Sequence, residues 1–162
     1  MIRINRSCLI PRMMSPMFKR ILVPVDDSPT SLRGLRVALA LARQLKARLR
    51  LIHLGSAIPR GPRKREGMTA QELFAAMKMR GEKLLEKQAA LCRARGVKTD
   101  TALYIALAGR PSKVVVAEAR KWRADLIVMG THGRHGLPRV ALGSDAEEVA
   151  RMARVPVLMI RK

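Results

Sequence analysis

The sequence predicts an open α/β sheet with mainly parallel strands and helices on both faces. Three observations carry that expectation. Short apolar runs such as Ile21-Leu22-Val23-Pro24-Val25 and Leu126-Ile127-Val128-Met129 have the shape of strands buried on both faces. Between the runs lie stretches whose apolar residues return at helical spacing. The two kinds of segment alternate along the chain, and strands separated by helices pair in parallel through right-handed crossovers.

The elements follow in order. The first strand ends at Asp26, and Ser28-Pro29 then supplies a cap and a proline at the first helical position. Leu32, Leu35, Leu39 and Ala42 extend that helix to about Lys46. Leu49 to Leu54 is a second strand. Gly55 to Gly67, with two prolines and the cluster Arg60, Arg63, Lys64 and Arg65, reads as a loop. Thr69 to about Arg95 is a long helix with Leu73, Met77, Leu84 and Leu91 on one stripe, Gly81 in its middle and Gly96 as its stop. Val97 to Ile105 alternates as a third strand. Gly109-Arg110-Pro111 opens a helix carrying Val115, Ala119 and Trp122 inward. Asp125 to Met129 is the fourth strand, and Gly130 to Gly143 is a glycine-punctuated loop. Ser144 to Arg154 is the last helix, with Ala146, Val149, Ala150 and Ala153 inward, and Val155 to Ile160 is the last strand.

Composition bounds the function. The chain has 162 residues, enough for one domain, and its 48% hydrophobic content supports a core that must be aliphatic, because aromatics are only 2%. Lys and Arg number 33 against 12 Asp and Glu, a net charge of +21 that makes anionic partners plausible without choosing among them. The two cysteines, Cys8 and Cys92, exclude a disulfide-dense scaffold and a four-thiolate zinc site. No apolar run approaches the ~18 residues of a membrane helix. Residues 1–16 hold Arg3, Arg6 and Arg12, no acid and no uninterrupted apolar core of a secretory signal. They are expected to be a disordered leader or an upstream start, with a faint likeness to a transit peptide, and Met17 is the favoured functional start. The remainder, 17–162, is expected to be one domain, and the setting cytoplasmic.

The candidate site runs from Gly130 to Ser144. In open α/β sheets ligands bind beyond the C-terminal strand ends, where the strand order reverses. Gly130 stands at the exit of the fourth strand, Gly133 three residues on, and Gly143-Ser144 directly before a helix. Glycine permits close backbone approach, successive N–H groups can cradle phosphate oxygens, and a helix N-terminus favours an anion. Ser144 can donate to phosphate or, with Glu147, form a capping box, and the two uses compete for one oxygen. Asp26 can accept hydrogen bonds from a ribose diol, or can serve as a turn residue ahead of the first helix; the glycine loop opposite favours the ligand. His132 and His135 could touch phosphate or serve as loop residues, His53 reads as a packed core histidine and Cys92 as an inert apolar contact. No G-x-x-x-x-G-K-[ST] is present, which excludes a Walker-type ATPase.

The spacing Gly130-x-x-Gly133, nine residues, Gly143-Ser144 resembles the ATP-binding motif of the universal stress protein family. Ile21 to Asp26 resembles that family's first strand, Val155-Pro156-Val157-Leu158-Met159-Ile160 its last, and Gly109-Arg110-Pro111 falls where its third helix starts. The resemblance covers Met17 to Lys162. It implies a Rossmann-like five-stranded parallel sheet in order 3-2-1-4-5. It implies ATP, with Mg²⁺, held by Pro24, Asp26 and the Leu54 backbone around the nucleoside, and by Met129, Gly130, Gly133, Gly143, Ser144 and the Asp145 backbone along the ribose and phosphates. Asp145 departs from the family, which often has an apolar residue or threonine there. Its carboxylate favours the helix but opposes a γ-phosphate, which Mg²⁺, Arg134 or Arg139 could offset.

No catalytic residues are expected, and at most weak ATP hydrolysis. Pro156 lacks an N–H and so marks the last strand as a sheet edge. That edge and the resemblance imply a homodimer through Val155, Val157, Leu158, Met159 and Ile160, with protein partners beyond it. The alternatives are a stress protein that binds no ATP and works through partners alone, and a nucleic-acid binder. Against the last, the basic residues read as spread over helix faces, without stacking aromatics.

Overall fold

The computed structural model describes residues 18–56, 69–106, 110–131 and 143–161. Within them the elements run β1 (Arg20–Pro24), α1 (Pro29–Leu45), β2 (Arg48–Ser56), α2 (Ala70–Arg93), β3 (Thr99–Ala106), α3 (Pro111–Lys121), β4 (Leu126–Gly130), α4 (Ser144–Met152) and β5 (Val157–Ile160). The expected leader, most of the 55–67 loop and Gly109 lie outside the described residues.

Residues in one sheet face alternate, and the two sets build two cores. Ile21, Val23, Leu49, Leu51, Leu126 and Val128 point toward α1 and α2, where they meet Leu35, Ala38, Leu39, Leu85, Ala89 and Cys92. Leu22, Ile52, Ile127 and Met129 point toward α3 and α4, where they meet Val115, Val116, Ala119, Ala146 and Val149. Both faces of the central strands are therefore sealed, which is why β1 and β4 are continuous apolar runs. The strands are all parallel in the order β3-β2-β1-β4-β5. The expected sheet, order and edge position of the last strand are thus observed. Pro156 stands just before β5, and its carbonyl accepts the Ile127 N–H at 3.0 Å.

The helix termini follow local chemistry. Ser28 Oγ accepts the Ser31 N–H at 3.1 Å, and Pro29 occupies the first helical position. Thr69 and Glu72 form a full capping box, and their hydrogen bonds hold the Glu72 carboxyl below its ordinary range. Lys46 (φ 53°) ends α1 in the left-handed region, and Gly96 (φ 79°) reverses the chain after α2.

Three expectations about the helices need correction, those for Leu91, Ala150 and Ser144; Ala150, expected inward on α4, is exposed, and only Ala146 and Val149 are buried there. Leu91 is 40% exposed, and the inward stripe of α2 runs instead through Leu84, Leu85, Gln88, Ala89 and Cys92. Gly81 is a close-packing residue: a Cβ there would lie 2.5 Å from Leu103 Cδ1 and 3.1 Å from His53 Cδ2. Ser144 does not cap α4; Gly143 is the cap, and no side chain caps that terminus.

One polar cluster sits within the α3 face. Arg50 of β2 donates to Glu118 Oε1 at 2.8 Å, and Tyr104 of β3 donates to Glu118 Oε2. The Glu118 side chain is 1% exposed, so its charge is tolerable only because these partners surround it. The Arg50 guanidinium also lies 5.0 Å from the centre of the Trp122 ring, at the C-terminus of α3. Burial, then the bond to Glu118 and its charge, push the Tyr104 hydroxyl up to about 12.

Candidate functional site

The strand order reverses between β1 and β4. β2 lies on one side of β1, and β4 on the other. The chain leaves β1 through Val25, whose N–H still donates to the Ile52 carbonyl at 2.8 Å. Asp26 follows and is doubly anchored. Its N–H donates to Ser31 Oγ at 2.9 Å, and its Oδ1 accepts the Ser28 N–H at 2.8 Å. Asp26 thus builds the turn into α1, as its turn reading required, while half-exposed beyond the β1 end.

The register places the other nucleoside candidates beside it. Pro24 pairs with Ile52, which sets Leu54 level with Asp26 on the neighbouring strand. Both Pro24 and Leu54 are half-buried. His53 is buried and donates from Nδ1 to the Val25 carbonyl at 2.7 Å, so it fastens β2 to the turn as a core histidine.

On the other side, Met129 is 8% exposed, and its side chain belongs to the α3–α4 core. Gly130 then abuts α1 directly. A Cβ at Gly130 would stand 3.0 Å from the Thr30 carbonyl carbon, 3.1 Å from Thr30 Cβ and 3.2 Å from Ser31 N. The bare Cα at Gly130 is therefore required by helix packing, whatever else approaches it. Gly34 repeats the arrangement from α1, its Cβ position lying 3.4 Å from Gly130 N. The hydroxyl run Ser28, Thr30 and Ser31 forms the floor between Asp26 and Gly130, each of the three buried. Of these, sequence reasoning singled out only Ser28. The clustering of three hydroxyls just after a buried strand was the available signal.

The end of β4 is tied to the start of α4. Thr131 N–H donates to the Ile160 carbonyl, and Gly143 N–H donates to the Thr131 carbonyl, both at 2.9 Å. Thr131 and Gly143 are therefore joined directly at the top of β4. The Gly143 N–H is consumed in this closure and is not available to phosphate. The N–H groups of Ser144, Asp145 and Ala146 have no acceptor within the helix, because Glu147 N–H makes its first internal bond, to the Gly143 carbonyl at 3.0 Å. Asp145 and Glu147 in that first turn offset part of the helix dipole. Gly133, His132, His135, Arg134 and Arg139 lie outside the described residues.

α4 is fixed against the start of α3. Glu148 accepts Ser112 Oγ–H at 2.6 Å and lies 3.3 Å from the Arg110 guanidinium. Those contacts hold its carboxyl below the ordinary carboxylate range, the Ser112 bond most of all. Pro24, Asp26, Leu54 and Gly130 thus stand at the C-terminal ends of β1, β2 and β4, and Gly143, Ser144 and Asp145 at the start of α4, which the Gly143–Thr131 bond ties to the end of β4. No group of three His, Cys, Asp or Glu residues able to hold a metal occurs among the described residues. No described helix is long and apolar enough to cross a membrane.

Of the residues proposed for a dimer, Leu158 is 37% exposed at the free edge of β5. Val155, Val157 and Met159 pack partly on the α3–α4 core, and Ile160 partly on the α1–α2 core.

The known proteins similar to this chain agree with one another. The family model described as "Universal stress protein family" matches residues 17–161. Universal stress protein MJ0531 of Methanocaldococcus jannaschii is 36% identical over 147 residues, covering 90% of this chain and 84% of that protein. A crystal structure of a universal stress protein family member from Burkholderia pseudomallei is 32% identical, with a TM-score of 0.70 over 89% of this chain and 96% of its own. The structure of the universal stress protein from Archaeoglobus fulgidus in complex with dAMP is 24% identical, with a TM-score of 0.61 over 89% of this chain and 98% of its own. At that identity it speaks to the fold alone. With the predicted strand order present and the family model spanning nearly all of the chain from Met17 onward, this chain belongs to the universal stress protein family.

Proposed function

We propose that this chain binds a nucleotide, ATP with Mg²⁺, in the crevice between the β1 and β4 ends. We propose further that it serves a cytoplasmic stress-response or signalling role, through a homodimer joined at β5 and through protein partners. The observation that carries the reading is the doubly anchored Asp26. Its carboxylate is held just past the β1 end, at the topological switch point, by the same Ser28–Ser31 turn that Gly130 packs against. Such a carboxylate can accept the ribose diol, while the N–H groups of Ser144, Asp145 and Ala146, which have no acceptor within α4, can receive phosphate oxygens. The Archaeoglobus fulgidus protein of the same fold is in complex with dAMP, which makes a nucleotide the ligand class to test first.

Mg²⁺ fits such a site as a passenger of the phosphates. It is commonly held by substrate phosphates and one or two carboxylates rather than by a dedicated protein cage, and this crevice offers isolated carboxylates. Its role would be to screen the γ-phosphate from Asp145. No hydrolytic step is proposed.

The test is acid extraction of the purified protein followed by nucleotide chromatography, and calorimetric titration with Mg-ATP. A dissociation constant in the micromolar range is expected, about −8 kcal/mol. Asp26→Asn is the informative variant, because it keeps an acceptor for the Ser28 N–H while removing the charge. It should fold normally and bind at least ten-fold more weakly. Absence of both copurified nucleotide and titration heat would instead favour the reading in which the protein acts through partners alone.

A further inference from the structure

The basic residues that look dispersed along the sequence are gathered by the fold. In an all-parallel sheet with antiparallel crossover helices, every strand start and every helix end lie at one pole, opposite the crevice. The strand starts form a row: Arg48 N–H donates to the Lys19 carbonyl, Leu49 N–H to the Lys98 carbonyl, and Asp125 N–H to the Arg20 carbonyl. Lys19, Arg48 and Lys98 are exposed along that row.

The helix ends add to it. α1 delivers Arg43 and Lys46, and α2 delivers Arg93 and Arg95. α3 delivers Arg120, Lys121 and Arg123, and α4 delivers Arg151 and Arg154. All are exposed. Acids are few and already engaged. Asp125 accepts the Lys19 and Arg20 backbone N–H groups, Asp100 bridges Arg48 and Arg50, and Glu86 pairs with Arg93. The opposite pole holds the first-turn acids Glu72, Asp145 and Glu147 with Asp26 and Asp27, beside Arg110 at the start of α3 and Arg80, which pairs with Asp27.

Helix dipoles account for cations in the last turn of each helix. They do not account for Lys19, Arg48 and Lys98 at the starts of three adjacent strands, of which Arg48 is paired with Asp100. We propose that this pole binds the phosphate backbone of duplex nucleic acid without regard to sequence. A duplex presents a dense array of phosphates to a broad face, and arginine matches phosphate with paired donors. Single strands are held largely by stacking on aromatics, and among the described residues this pole presents no fully exposed one: Trp122 is 9% exposed beneath Arg50, and Phe18 packs partly on the α1–α2 core. An anionic membrane is disfavoured because interfacial binding uses a broad apolar face, whereas Leu91 is the single large apolar side chain exposed near this pole among the described residues. The proposal is independent of the nucleotide reading, which concerns the other end of the sheet.

The experiment uses the full chain and a labelled 20-base-pair duplex, with anisotropy measured from 50 to 300 mM NaCl. Engagement of about five phosphates gives a slope of about −4.5 in log K against log salt. Lys98→Glu with Arg120→Glu should weaken binding at least ten-fold at constant salt and flatten the slope by about two. Arg33→Glu with Arg36→Glu, also exposed but on the crevice half of α1, changes net charge equally and should cost less than two-fold. Equal losses in the two double variants, or a wild-type slope flatter than −2, would overturn the assignment to this pole. Tighter binding to vesicles containing 30% phosphatidylserine than to duplex, lost in the same pole variant, would overturn it in favour of a membrane surface.

Discussion

Replacing Gly130 with alanine separates packing from ligand contact at the most conspicuous glycine of the motif. The added Cβ would sit 3.0, 3.1 and 3.2 Å from Thr30 C, Thr30 Cβ and Ser31 N. Optimal carbon contacts lie near 3.5–4.0 Å, so all three are about half an ångström too close. Two of the three atoms are backbone, at the capped start of α1, and no rotamer relieves them. Overpacking of this kind costs about 1–3 kcal/mol. The reduced entropy of an unfolded chain with alanine returns about 0.4–1 kcal/mol, because Gly130 does not occupy the left-handed region. The net destabilisation is about 1–2 kcal/mol, which for a chain of this length lowers Tm by about 2–8 °C. Relief by moving α1 would also stretch the Asp26 N–H to Ser31 Oγ bond, so nucleotide affinity should fall together with Tm. Thermal unfolding by circular dichroism, with calorimetry well below the transition, reads both. An unchanged or raised Tm would refute the packing argument. A Gly130→Val variant, larger still, therefore tests folding before it tests phosphate binding.

The chain has a single tyrosine, so absorbance at 295 nm should titrate Tyr104 alone, with a midpoint near 12 in the folded protein. Because the folded value is raised above 10, the stability it confers is complete below pH 10 and is lost between pH 10 and 12; Tyr104→Phe should remove that part of the alkaline decline. Arg50→Met strands the Glu118 carboxylate and should destabilise by about 2–4 kcal/mol, somewhat less than a fully buried pair because Arg50 is 22% exposed. The double variant with Glu118→Leu should recover most of that loss in urea denaturation, and failure to recover would show that the cluster is not coupled. If β5 pairs with its copy, the dimer should tighten as salt screens the +21 charge, and Leu158→Lys should abolish it; a wild-type monomer at tens of micromolar in high salt, by sedimentation, would refute the interface.

The sequence alone determined the sequence of elements and the edge strand. A strand buried on both faces must be apolar throughout, a helix packed on one side must repeat at its own period, and a proline cannot donate to a ladder, so Ile21–Val25, Leu35–Ala42 and Pro156 each identified themselves locally. The reversal of strand order between the first and fourth strands was legible, and glycines and an acid follow those two strands in the chain. Which face of a glycine meets what was not legible. Gly130 and Gly81 have the same local sequence signal as a ligand loop and a weak helix position, and only packing shows that α1 lies against one and Leu103 against the other. Ser144 and Glu147 have the spacing of a capping box, but the pull of Thr131 on Gly143 sets the first turn one residue earlier. Arg50, Tyr104 and Glu118 are far apart in the chain and meet only across two strands and a helix. The basic pole exists for the same reason: each cation is unremarkable in its own segment, and it is the common direction of five parallel strands that brings them to one end.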